Sequence, residues 1–415
     1  MQRPNGMPSP AVLPTLATEP TAPSVHAAVD PAPAPIAWRR EPFRIFFPFA
    51  VLLGWVGVGH WLFYATGITS TYSGFFHGQV MMQAFMMALA IGFLLTALPR
   101  RTQSPPPSAL EIELAIVALL TITGAALEQR WVLAQLAYVA LFLLLLQFAV
   151  RRLVGSTAAR RPPASFVLVP IGVAHGLGGA ILIAVATQPG ASPWTFALGR
   201  LLVEQGVFLC FAVGVGSLVL PLMAGSPPPA DLGSSPTERW KLVGFAAIGL
   251  TIFASLALEA SGWMHVGPLA RAAVVAAGLG IGGGAWRAPG KPGLHRRLVW
   301  LGVWLMPLGL VGAGLFPDFR VAALHVLFIG GFSLLGLGVA THVSLSHLDL
   351  ESLALGRPPA VGFLGAMVLL AMLARVAADL SHTYFDHIGW AAGLWLLGSM
   401  VWLAFLGPRL LGLRR

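Results

Sequence analysis

Twelve hydrophobic stretches, each long enough to cross a bilayer, fill almost all of this chain after residue 44. A hydrocarbon core of about 30 Å needs roughly 20 apolar residues in helical form. On that window the expected spans are 45–65, 75–98, 109–127, 131–150, 165–187, 194–224, 242–258, 265–284, 298–316, 320–342, 361–378 and 387–406. Only 10% of residues are charged and 57% are hydrophobic, where a soluble domain carries about a quarter charged. The expected fold is therefore an all-α polytopic membrane bundle of about 12 transmembrane helices.

Lys and Arg concentrate in cytoplasmic loops, which orients the bundle. With both termini inside, Arg39, Arg44, Arg100, Arg101, Arg151, Arg152, Arg296 and Arg297 all fall inside, and only Arg130, Arg200 and Arg320 lie at or near the other face. The formal charge of +10 thus reads as topology, with the lipid bilayer and its anionic headgroups as partner. It is no sign of nucleic acid binding, because no basic and aromatic stripe accompanies it. Residues 1–37 are rich in Pro, Ala and Thr and lack an apolar run, so they read as a disordered cytoplasmic tail preceding a membrane domain at 38–415. No apolar signal core precedes the first span, which is expected to direct insertion itself.

A polar ring inside a membrane is costly and usually turns toward the bundle interior. Six of the eleven histidines are expected near the outer surface: His60, His77, His265, His325, His382 and His387, the last two in the loop before helix 12. His175 falls at mid-depth on helix 5, His342 and His347 end helix 10 on the inside, and His295 lies in a polar segment. Singly, each reads as a histidine bonded to a carbonyl; together they suggest a metal or haem, since imidazole suits iron, copper and zinc alike. Met81 stands four residues after His77, a pairing that suits cuprous copper, although gap-filling explains Met81, Met82, Met86 and Met87 equally. Cys210 is the only cysteine, which excludes an internal disulfide, and it reads as a small apolar filler.

Intramembrane charges form a second group: Glu204, Arg271, Arg375 and Asp379. Arg375 with Asp379, and Arg200 with Glu204, are four apart and able to pair on one helix face; contact with a cofactor's carboxylates or proton relay is the functional alternative. The glycine array at Gly278–Gly284 follows a membrane helix rather than a strand, so it reads as close helix packing, as do Gly172 and Gly176. A weak repeat joins GFLLTALP at Gly92–Pro99, GVGSLVLP at Gly214–Pro221 and GGFSLLGLG at Gly330–Gly338, which suggests three related sets of four helices.

FHGQVMMQAF followed by IGFLLTALPRRT, and HVLFIGGFSLLGLGVATHVSLSH, resemble the two signature regions of the NnrS family. GRLLVEQGVFLCFAVGVGSLVLPLMAG resembles its central helix and FRIFFPFAV its opening, so the resemblance runs from about residue 43 to 407. It implies a haem- and copper-containing protein of the bacterial inner membrane that acts in the response to nitric oxide, without a settled reaction. His77, His325 and His347 match the family's histidines by motif position. Gln79 and Val80 replace a usual His-Glu pair and His342 a usual Arg, which weakens the expected copper site. His77 and His325, at similar depth on helices 2 and 10, are the expected axial pair of one haem, an arrangement similar to the low-spin site of haem-copper oxidases. His60, Met81, His265 and His347 are the remaining candidate metal ligands. Helices 6 and 7 hold no histidine, so oxygen or nitric oxide reduction at a haem-copper pair is not expected. The competing class is a secondary transporter of a small solute or metal ion, with Glu204, Arg271 and Arg375 on its pathway; a third reading is a family member that keeps the fold and has lost its cofactor, as Gln79 and Val80 permit.

Overall fold

The computed structural model describes residues 38–413 apart from 155–160, 228 and 234; the expected tail at 1–37 lies outside them. Among the described residues there are no strands. Eleven helices are long and apolar enough to cross a membrane: α1 (Phe43–Ala65), α2 (Gly74–Thr102), α3 (Ala109–Leu127), α4 (Trp131–Leu153), α5 (Ala164–Ala186), α6 (Pro193–Ala224), α7 (Pro236–Ala260), α9 (Leu294–Leu315), α10 (Pro317–His347), α11 (Pro359–Ala378) and α12 (Tyr384–Leu410). The remaining predicted span, α8 (Val266–Gly282), is shorter. Its end falls in the glycine array, where Gly284 takes a positive φ of 66° that ends the helix.

Helix starts follow capping chemistry. Ser73 Oγ accepts from Phe76 N, and Ser108 with Glu111 forms a reciprocal capping box. Ser192 before Pro193 and Ser235 before Pro236 open α6 and α7. The Ser235 cap starts α7 six residues ahead of the hydropathy window, because Glu238 and Lys241 lower its apolarity without breaking it. His387 accordingly sits in the first turn of α12 rather than in a loop. His295 lies in the first turn of α9, fully buried, rather than in a polar segment.

Each set of four repeats one packing scheme. The first and second helices pack together, as do the third and fourth, and each fourth helix meets the first of the next set: α4 on α5, α8 on α9, α12 on α1. The ring therefore closes, with α2, α6 and α10 at its centre. Of α2's most apolar window 72% is buried, against 28% for the peripheral α7. An apolar cavity of about 120 Å³ lies between the three central helices, walled by Met86, Phe208, Phe332 and their neighbours.

All three central helices contain a π segment, Val80–Met86, Leu202–Gly206 and Val326–Ser333. Each begins twelve residues before a glycine, namely Gly92, Gly214 and Gly338. A Cβ on Gly92 would strike Phe46 and Phe47 of α1, on Gly214 Leu168 and Ser165 of α5, and on Gly338 Val299 of α9. The three glycines thus share one role, close approach to the start of the preceding helix. The expected threefold repeat is present, with a corrected register: Gly338, not Gly330, answers Gly92 and Gly214. Gly172 and Gly176 are packing sites as expected, against Phe211 and Phe142.

Candidate metal centre

The π segments of α2 and α10 begin just after His77 and at His325. π-bulges add a residue to a turn and often mark functional sites; here they accompany two imidazoles that converge. The rings of His77 and His325 lie 6.4 Å apart between centroids, with their planes 15° from parallel. His77 Nδ1 donates to the Gly57 carbonyl of α1 at 2.8 Å, and His325 Nδ1 donates to the Val321 carbonyl at 2.7 Å. Both Nε2 atoms are left with lone pairs and no hydrogen-bond partner among the described residues.

Haem, the group that the resemblance implies, makes a definite demand on such a pair. Two imidazoles sharing one iron, each bonded at about 2.0 Å with its centroid about 1.1 Å behind the bonded nitrogen, would have centroids about 6.2 Å apart. The observed spacing fits. The carbonyl bonds at Nδ1 fix the tautomer and ring orientation that ligation through Nε2 requires.

Other predicted residues gather around this pair. His60 lies 6.0 Å from His77 by ring centroids, and its Nδ1 reaches the same Gly57 carbonyl at 3.1 Å. Met81 packs on Gly57, with Sδ 3.0 Å from the position of an added Cβ. Arg375, buried at the end of α11, is close enough to act electrostatically on both His77 and His325. It donates to Asp379 Oδ1 at 3.1 Å and to the Tyr384 hydroxyl at 3.3 Å, so the expected i,i+4 pair exists. Glu204, in the α6 π segment, accepts from Arg200 at 2.9 Å. Its Oε1 stands 3.0 Å from where a Cβ on Gly78 would be, so α6 reaches the neighbour of His77 only because that residue is glycine.

Two predicted ligands lie elsewhere. His265 caps α8 and donates from Nδ1 to the Gly314 carbonyl at 2.7 Å. His347 ends α10, 22 residues or about 33 Å of helix from His325, where its Nε2 accepts from Arg100 at 3.2 Å and its Nδ1 faces Glu41 at 3.6 Å. Among the described residues no three His, Cys, Asp or Glu side chains converge as a metal would require.

Three features had no clear sequence signal. Glu259 of α7, 3% exposed, binds Arg271 of α8 and Arg320 of α10, so Arg271 is paired inside the bundle and the first turn of α10 is anchored. Gln83 donates to Gln135 at 2.7 Å, and Gln135 donates to Gln79 at 3.2 Å, a fully buried amide chain between α2 and α4. His295 Nε2 lies 3.1 Å from His342 Nδ1, a second histidine pair at the basic end. A polar residue in an apolar run marks burial, yet nothing in its spacing names the partner on another helix.

The family profile described as NnrS protein matches residues 37–414, nearly the whole chain. No curated protein matches significantly.

Proposed function

On the premise that the chain belongs to the NnrS family, we propose that it is a haem-binding redox or ligand-sensing protein of the nitric oxide response, set in the bacterial inner membrane with both termini cytoplasmic. The single observation that carries this reading is the spacing of His77 and His325, which is what two imidazoles sharing one iron would need. The many apolar helices make it a multi-pass membrane protein, and the basic end, with Arg44, Arg100, Arg101 and Arg152, is the cytoplasmic one by charge.

His77 and His325 would hold the iron through their Nε2 atoms. Bound haem supplies one-electron redox chemistry. The Gly57 and Val321 carbonyls keep both imidazoles oriented and enrich their donor nitrogens. Arg375, steadied by Asp379 and Tyr384, supplies the positive charge that the haem carboxylates need at that depth. A haem held by these two imidazoles would be suited to electron transfer or redox sensing rather than to turnover of a gas. Support for copper is narrower: His60 and Met81 flank Gly57, while Gln79 commits its carbonyl oxygen to Gln135.

A reduced-minus-oxidised optical spectrum of the detergent-purified protein, with metal analysis of the same sample, tests the reading. Haem bands with stoichiometric iron that disappear in His77→Ala and His325→Ala are the expected result. A colourless, metal-free protein after haem-supplemented expression would overturn it and favour a transporter.

A further inference from the structure

A second opening lies on the flank of the bundle, away from His77 and His325. Helices α5, α6 and α7 enclose a groove of about 650 Å³ lined by Ile171, Gly178, Leu202, Leu250 and Phe253, with His175 at its floor. His175 is the only residue with an ionisable side chain on this lining. Ile181 and Leu250 at its edges are 52% and 64% exposed, so the groove opens toward lipid.

His175 is 95% buried, judged from its 5% exposure, and it is the twelfth residue of the 23 in α5. Its Nδ1 lies 3.7 Å from Cys210 Sγ and its ring stacks with Phe253 at 5.9 Å and 30°. No hydrogen bond among the described residues reaches Nε2. A lone polar atom at mid-membrane is beyond the reach of water and phospholipid headgroups, and leaving it unpaired costs free energy.

We propose that this groove binds the ring of a membrane-soluble quinone or quinol, with His175 as its hydrogen-bond partner. The ligand must be uncharged, because no charged side chain lines the groove. It must be flat enough to lie along His175 and Phe253, carry an oxygen for Nε2, and reach mid-depth through the lipid; isoprenoid quinones combine these properties. Both redox forms are accommodated. With Nδ1–H turned to the Gly206 backbone, Nε2 accepts from a quinol hydroxyl; with Nδ1 accepting from the Cys210 thiol instead, Nε2–H donates to a quinone carbonyl. Pockets of this size with one or two placed polar groups are typical of small-molecule sites.

The position gives the groove a further meaning that rests on the haem reading. Gly206 lies against His175, where an added Cβ would stand 2.8 Å from Nδ1, while Glu204 lies against Gly78 beside His77. Glu204 and Gly206, two residues apart in the α6 π segment, thus reach the neighbour of His77 and the groove floor respectively.

Photolabelling of the intact detergent-solubilised protein with an azidoquinone, mapped by peptide mass spectrometry and competed with decylubiquinone, tests the proposal without requiring haem. Saturable labelling of α5–α7 peptides is expected. Apparent affinity should fall about tenfold in His175→Phe, the worth of one buried hydrogen bond, and at least as much in Gly178→Leu. The Gly178 change fills the groove without a clash, since a Cβ there meets nothing within 4 Å. Labelling spread over the lipid-facing surface, phospholipid alone retained in the groove, or affinity unchanged in both variants would overturn it. Haem content measured on the same samples separates this outcome from failure of the haem reading.

Discussion

The molecule contains two histidine pairs built on the same helix, and they differ in where Nδ1 points. At one end of α10, His325 and His77 give their Nδ1 protons to backbone carbonyls and hold their rings 6.4 Å apart. Toward the other end, His342 offers Nδ1 to His295 Nε2 at 3.1 Å, with the rings 5.2 Å apart. The first arrangement leaves both Nε2 lone pairs for a third party; the second ties one nitrogen of each ring into a direct bond, so one ring nitrogen must donate and only the other's lone pair is used. Histidine proximity alone is therefore a poor guide to a metal site, and the backbone acceptor at Nδ1 decides between a ligand and a strut.

The largest expected effect breaks this comparison outright. His77→Ala or His325→Ala should remove haem completely, measured as haem per protein, while His295→Ala and His342→Ala should leave it unchanged. Loss in all four variants would remove the distinction. Next in size is Glu259→Gln, which leaves Arg271 uncompensated in the bundle and frees Arg320, the residue before the Val321 carbonyl. A loss of about 3–5 kcal/mol is expected, read as a lower thermal midpoint in detergent, together with altered haem bands. Two glycine substitutions sharpen the contrast: Gly57→Ala crowds Met81 and Val80 at the carbonyl that holds His77 and should shift the haem spectrum. Gly338→Ala meets Val299 at 2.6 Å and should cost about 1–3 kcal/mol of stability with the spectrum intact. Smallest is His342→Phe, where replacing the hydrogen-bonded ring should change thermal stability by about 1 kcal/mol and leave haem content untouched.

Helix number and the meeting of His77 with His325 were legible because hydropathy fixes depth, and depth pairs residues across helices. The same reasoning failed for His295, since Arg296 and Arg297 depress the hydropathy of a turn that is nonetheless helical and buried. The repeat register in α10 was obscured by four candidate glycines, 330, 331, 336 and 338. Gly330 and Gly331 also touch α9, at Leu305 and Met306, and only contact near its start, at Val299, selects Gly338. Glu259 stayed hidden because its partners are 12 and 61 residues away on other helices. The π segments escaped notice for a different reason: one added residue per helix alters phase without altering composition.

Those three segments also bear on how the chain came to exist. An extra residue inside a transmembrane helix rotates everything beyond it by about 100°, so acquiring one in a finished bundle would turn packed faces toward lipid. Three such events at one register would have to be tolerated separately. A single insertion in an ancestral four-helix unit, followed by two rounds of copying, requires it only once. The shared register in α2, α6 and α10 is the pattern that one insertion copied with its four-helix unit would leave, whereas the π segment at Gly278–Gly282 of α8 has no counterpart in α4 or α12.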